Sequence, residues 1–430
     1  MKHNSLIIFL LLLPVIALGQ NPVPADDYTK SILITNGRVY TGDTIIPNGI
    51  IGIRNGRFEL VGDATTVRVD PSKYDTLISA EGKHIYPGII ALNTTIGINE
   101  IAAVRATNDM NEVGKFNASS RSLIAYNTDS RVTPTVRSNG ILLAQVVPQG
   151  GRVSGNSSIM ELDGWNWEDA VHHADDGIHV RWPSQVVNRK KEASKEKEQI
   201  NKNIQELQEL EEFFYDAKSY HTSNDPLPAN LQFESMRGIF TGEKKLYIHC
   251  NHAKDIVAAI DFTAGLEVKM VLVGGQDAYH VTAELKKHRI PVIIGDTHRL
   301  PMHEDDDISQ PYRLPALLKE AEVDFAISAD GFWNVRNLPF HAGTAKAYGL
   351  SETDAVASIT SAPARIVGID DRVGSIHTGK EGTLIIVSGD VLDMRSSVVE
   401  MAFIKGKILD LDDIQKKLYR KYSDKYGLSH

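Results

Sequence analysis

The sequence predicts a mixed α/β fold. A small β domain, assembled from both chain ends, brackets a long middle of alternating strands and helices. Three observations predict it. Residues 31–80 fall into short β-branched runs broken by the turn signals Asn36-Gly37, Asn48-Gly49 and Asn55-Gly56. A second β segment returns at 373–410, ending in the hairpin pattern Phe403-Ile404-Lys405-Gly406-Lys407-Ile408. Between them, apolar runs at 246–249, 268–273, 291–295 and 324–328 alternate with helical stretches at 252–264, 276–288 and 309–321, the pattern of a parallel sheet.

Taken in chain order, Lys2 and His3 precede an apolar run from Leu6 to Leu18, and Ala17-Leu18-Gly19 ends it with small residues. Residues 1–19 read as a secretory signal peptide cleaved before Gln20. The run is shorter than the ~20 apolar residues of a spanning helix. The expectation is an exported protein, periplasmic or secreted, with no membrane span in the mature chain. The single cysteine, Cys250, precludes an intrachain disulfide, so stability rests on the core. A net charge of −9 and the lack of a basic stripe argue against nucleic acid.

Residues 97–185 are less regular and include the glycine loop Gln149–Gly155. Such a loop makes a tight rim turn or cradles an anion. The spacing of Ile200, Ile204, Leu207, Leu210 and Phe214 predicts a charge-rich helix over 188–218 with one apolar stripe. Its charged remainder is a solvated face or a partner surface.

The segment Pro87-Gly88-Ile89-Ile90-Ala91-Leu92-Asn93-Thr94-Thr95 is an apolar run tipped by two polar residues, Asn93 and Thr95. Positions i and i+2 of a strand share a face, so both are expected to look into one barrel mouth. This Pro-Gly-Ile-Ile run with its polar-x-polar tip resembles the first barrel strand of the amidohydrolase superfamily. Residues 32–40 and 51–58 resemble that family's opening β strands, 373–387 its closing hairpin and 359–365 the helix junction after its eighth strand. The resemblance runs from 30 to 410 and is nearest to the imidazolonepropionase-like group. It implies a closed (β/α)8 TIM barrel over 87–368 with a helical insertion at 188–218. A small β-sandwich comes from 30–86 and 369–412.

The resemblance also implies hydrolysis of C–N bonds other than peptide bonds at a divalent metal, which lowers the pKa of bound water and polarises the carbonyl. The family's ligands are a strand 1 His-x-His pair, often a carboxylate or modified lysine on strand 4, one His each on strands 5 and 6, and a strand 8 Asp that also acts as base. His249 matches the strand 5 ligand. Asp330 matches the strand 8 ligand and catalytic base. Asn93 and Thr95 stand at the strand 1 pair and Gly274 at the strand 6 position. Two ligands do not make a tight zinc site, and amide or hydroxyl oxygens are weak for zinc. The expected cofactor is therefore none, or one weakly bound divalent metal, zinc if any.

Other side chains are candidates to replace the missing ligands. His298 and His303, beside Glu304-Asp305-Asp306-Asp307, form the best rebuilt cluster. His252 is expected to start a helix, His280 to lie on one, and Cys250 to face away from His249. His172, His173 and His179 have no spacing partner. No Gly-x-Ser-x-Gly elbow, phosphate loop or dinucleotide fingerprint occurs. Three readings stay open. The chain is a weak or inactive family member that binds a small molecule or an active relative. Or it is an active hydrolase rebuilt on His249 and Asp330. Or it is a structural or interaction protein using 188–218. The partner classes expected are a small-molecule ligand, an active relative or a second copy in a homo-oligomer.

Overall fold

The structure is a computed structural model describing residues 23–27, 30–186, 193–223 and 228–428. The predicted signal peptide, 1–19, and the first residues of the predicted 188–218 helix lie outside the described residues. No described helix is long and apolar enough to cross a membrane.

Strands β1 (Ile32–Tyr40), β2 (Ile45–Arg54), β3 (Arg57–Asp63), β4 (Thr76–Ser79) and β5 (His84–Pro87) open the chain. The middle contributes β6 (Ile89–Thr94), β7 (Ile141–Val146), β8 (Val153–Glu161), β9 (Val171–Arg181), β10 (Lys245–Cys250), β11 (Met270–Gly274), β12 (Val292–Ile294) and β13 (Phe325–Ile327). The end adds β14 (Leu384–Ser388), β15 (Val398–Ile404) and β16 (Lys407–Ile408). The first and last groups form one sheet, in which β14 pairs antiparallel with β5. That sheet has its own core around Ile32, Ile51, Phe58, Ile85, Leu384 and Phe403, as expected of a small β domain built from both ends.

Of the three Asn-Gly signals, only Asn55-Gly56 makes a hairpin turn, between β2 and β3. Gly37 and Gly49 instead face each other inside β1 and β2. A Cβ at Gly37 would meet Ile85 at 2.4 Å, and one at Gly49 would meet Val39 at 2.2 Å. These glycines supply room for packing.

The middle strands form a nearly closed barrel sheet in the order β6 to β13. The gap between β6 and β13 is bridged at Thr94 and Gly331, where Thr95 N donates to Gly331 O at 2.9 Å. The expected regular (β/α)8 repeat needs one correction. β8 runs antiparallel to both β7 and β9. Its connection to β7 spans only residues 147–152, too short for the crossover that a parallel strand needs. The glycine loop is therefore the rim turn between β7 and β8.

The long helix spans Ala193–Thr222. Leu210 and Phe214 are buried in the barrel core, while Ile200 and Ile204 remain 37% and 45% exposed. The apolar stripe thus serves the chain's own packing over its second half.

Candidate ligand site at the barrel mouth

The carboxyl ends of the barrel strands surround a cavity of about 440 Å³. Barrel enzymes place their sites at this end because loops from several strands converge there. His249 comes from β10, Gly274 from β11 and Asn93 from β6; Arg181 ends β9, and Asp296 and Asp330 follow β12 and β13. Trp182, Cys250, Asn251, Gln276 and Arg299 complete much of the wall.

Asn93 lines the cavity, and its Nδ2 donates to Asp330 Oδ1 at 3.1 Å. Thr95, expected beside it, is buried and does not line the cavity. The cause is a break in the strand's alternation. Asn93 has φ +55°, and the β6–β7 register shifts between Ala91 and Thr94. A bulge of this kind removes the i, i+2 relation that a regular strand imposes.

His249 pairs with His179 rather than with Asp330. His179 Nδ1 lies 2.9 Å from His249 Nε2, and His179 Nε2 lies 2.9 Å from Ser157 Oγ. The His179 ring stacks on Tyr247 at 4.4 Å. Below it, Asp176 accepts from Tyr247 OH at 2.6 Å, Ser157 Oγ at 2.7 Å and Gln145 Nε2 at 2.9 Å. Gln145 Oε1 in turn accepts from Asn93 N at 3.2 Å. One polar network therefore runs from strand β10 to the bulge on β6.

Burial, then Arg181, pushes the His249 imidazole down to about 3. Burial, then His249, holds His179 well below its ordinary value. Both rings are neutral at pH 7. Burial raises Asp296, and burial followed by the Asp296 charge raises Asp330. Arg181 faces Asp330 and is braced by Gln149, whose carbonyl accepts from Nε at 3.1 Å.

The sheet places each residue that the resemblance puts at a metal position. Gly274 has φ +95°, and a Cβ there would approach Asn251 Oδ1 to 2.5 Å. The left-handed backbone disfavours a histidine there, and the Asn251 amide would have to move aside for one. Thr95 has left the mouth, and Asn93 is bonded to Asp330. Among the described residues, the groups bringing three His, Cys, Asp or Glu ligand atoms within 4.8 Å lie elsewhere, at His252–Asp277–His303 and Glu161–His172–Glu381.

The predicted substitutes separate. His298 bonds Thr344 Oγ1 at 2.6 Å and packs on His341, away from His303. His303 joins His252 and Asp277. His280 sits in a short turn against Tyr279. Cys250 is buried and part of the cavity wall, and burial raises its thiol. His172 pairs with Glu161 at 2.9 Å. Sequence reasoning set His179 aside for want of a spacing partner and passed over Arg181, Asp296 and Arg299. The first two show the same polar-x-polar strand tip as positions 93 and 95, in Ile178-His179-Val180-Arg181, and Asp296 directly follows a recognised strand.

Fold and site define a barrel protein with a polar pocket at its strand ends. Residues 141–409 match the sequence profile described as the amidohydrolase family, and the chain belongs to that family, whose members usually bind a divalent metal. An amidohydrolase from Thermotoga maritima MSB8 shares 22% identity and a TM-score of 0.74, over 88% of this chain and 99% of that one. Molinate hydrolase shares 14% identity and a TM-score of 0.55, over 90% and 96%. At these identities the likeness shows the fold. The curated relative "Amidohydrolase tasK" of Hapsidospora irregularis is 19% identical over 392 residues, 84% of this chain; the match spans 39% of that protein's length.

Proposed function

We propose that this chain is a metal-depleted amidohydrolase, of the imidazolonepropionase-like kind, whose barrel mouth binds a small polar molecule without hydrolysing it. The observation that carries this reading is Gly274: its left-handed backbone disfavours any side-chain ligand at the strand 6 position, beside a His249 already bonded to His179. The cavity volume is in the range of small-molecule sites. Its wall presents both charge signs, Arg181 and Arg299 against Asp296 and Asp330. Asn93 Oδ1 and Asn251 Oδ1 are buried without a hydrogen-bond partner and favour a ligand that brings donors. A zwitterion or a compact amide meets these demands. Export is part of the proposal, supported by residues 1–19; recovery of a chain starting at Gln20 supports it, and retention of Met1 counts against it.

The test is a ligand screen by thermal shift on the purified protein, with hydrolysis of N-acyl amino acids assayed in parallel. A stabilising ligand whose effect disappears in Arg181→Ala, with no hydrolysis, is the expected result. Hydrolysis that disappears on His249→Ala, with loss of a bound metal in the same variant, overturns it.

A further inference from the structure

We propose a divalent transition-metal site on the barrel rim, outside the cavity, formed by His252, Asp277 and His303. The three residues come from three successive strand-to-helix connections, after β10, β11 and β12. Their ligand atoms all lie within 4.8 Å of one another. Asp277 stands between the imidazoles: Oδ1 is 2.9 Å from His303 Nε2, and Oδ2 is 3.9 Å from His252 Nδ1. Metal–ligand bonds of about 2.0–2.2 Å put neighbouring ligands of a tetrahedral zinc about 3.3–3.6 Å apart. One spacing is shorter than that edge and the other longer, each to a different carboxylate oxygen, so side-chain rotation completes the geometry.

The cluster is assembled before any ion arrives. Asp277 is nearly buried, and its Oδ2 accepts from Ala253 N at 3.1 Å. Its own N donates to Asn251 O at 2.9 Å, which stitches the β10 and β11 connections together. His303 is set by its backbone N donating to Asp306 Oδ2 at 3.1 Å. Supports of this kind orient metal ligands and raise affinity. The two rings are tilted by 48° with centroids 6.0 Å apart. Their side chains are 31% and 38% exposed, which leaves an open side for water or another ligand.

Two imidazoles and one carboxylate select zinc or a neighbouring transition metal over the oxygen-seeking Ca²⁺ and Mg²⁺. The second three-residue group lacks this freedom, because Lys405 holds Glu161 and Arg372 holds Glu381. The rim site also adjoins the cavity. Gln276 and Arg299, both in the cavity wall, are bonded to each other at 2.9 Å and flank Asp277 and His303 in sequence. An ion on the rim fixes the connection that carries Arg299.

The test titrates the chelator-treated protein with Co²⁺, followed by visible absorption and calorimetry, and then displaces cobalt with Zn²⁺. The expected result is one equivalent bound with the intense bands of four-coordinate cobalt. His252→Ala and His303→Ala each weaken binding by about tenfold or more, and His249→Ala leaves it unchanged. Melting curves confirm that the variants fold, and His303→Gln replaces His303→Ala if the latter does not. No bound cobalt, or binding indifferent to both rim variants and to His249→Ala, overturns the site and leaves the metal-depleted mouth standing. Binding lost only in His249→Ala overturns both readings.

Discussion

Gly274 has φ +95°, and a Cβ placed on it would come within 2.5 Å of Asn251 Oδ1, so a side chain there meets backbone strain and needs the Asn251 amide to move. Gly274→Ala is expected to lower stability by about 1–3 kcal/mol, read from urea denaturation. Gly274→His is expected to cost more and still to bind no zinc at the mouth; a folded, zinc-loaded Gly274→His protein would show that the strand 6 position tolerates a ligand after all. Asp330 carries a second residue-scale prediction. Burial first and Asp296 second raise its pKa, so the fold holds this proton more tightly than the unfolded chain. The stability linked to it is fully present below the unfolded value, about 3.9, and is lost as pH rises through the raised value. Asp330→Asn is therefore expected to melt higher than the parent at pH 7, by roughly 2 °C. The gap closes near pH 4, and a lower melting point at pH 7 would contradict the argument.

The long helix Ala193–Thr222 shows how one periodic stripe can have two fates. Phe214 meets Phe262 edge-on at 5.5 Å within the barrel core, whereas Ile204 stays exposed. Phe214→Ala is expected to cost about 3–5 kcal/mol and Ile204→Ser no more than about 0.5 kcal/mol. Equal losses in denaturation would mean that both halves of the stripe are covered. The period was legible in the sequence; which half packs is decided by distant chain. The same division explains the missed strands. β10 and β11 are apolar runs and were readable. β8 is wholly buried yet contains Ser154, Asn156, Ser157 and Ser158, and β9 buries His172, Asp176 and His179. An apolar-run criterion passes over such strands because their inward polar groups are satisfied by one another across the barrel. With β9 went His179 and Arg181, and with the reversed β8 went the departure from a regular repeat. Thr95 failed for a related reason, since nothing in the run 89–95 announces a bulge at Asn93. The small β domain was readable because its alternation and its Asn55-Gly56 turn are local.

At the scale of the whole molecule, the terminal sheet and the barrel are joined by a buried charge cluster. Glu161 on β8 accepts from Lys405, in the turn after β15, at 2.5 Å and pairs with His172 on β9 at 2.9 Å. Arg372 holds Glu381 at 2.8 Å and donates to His172 O at 3.0 Å. Burial alone would raise Glu161, but His172 and Lys405 outweigh it and hold the carboxyl below its usual range. A lowered carboxyl contributes stability above its unfolded pKa, about 4.3, and that contribution is lost as pH falls through the folded value. Lys405→Met removes the lysine partner and leaves the carboxylate buried with less compensation, at an expected cost of about 3 kcal/mol near neutral pH. The onset of acid unfolding should also move to higher pH, because the variant's carboxyl protonates earlier. Glu161→Gln together with Lys405→Met removes the stranded charge, so the double variant should lose less than the two single losses added. Strict additivity in that cycle would mean that the Glu161–Lys405 pair does not help to hold the terminal sheet to the barrel.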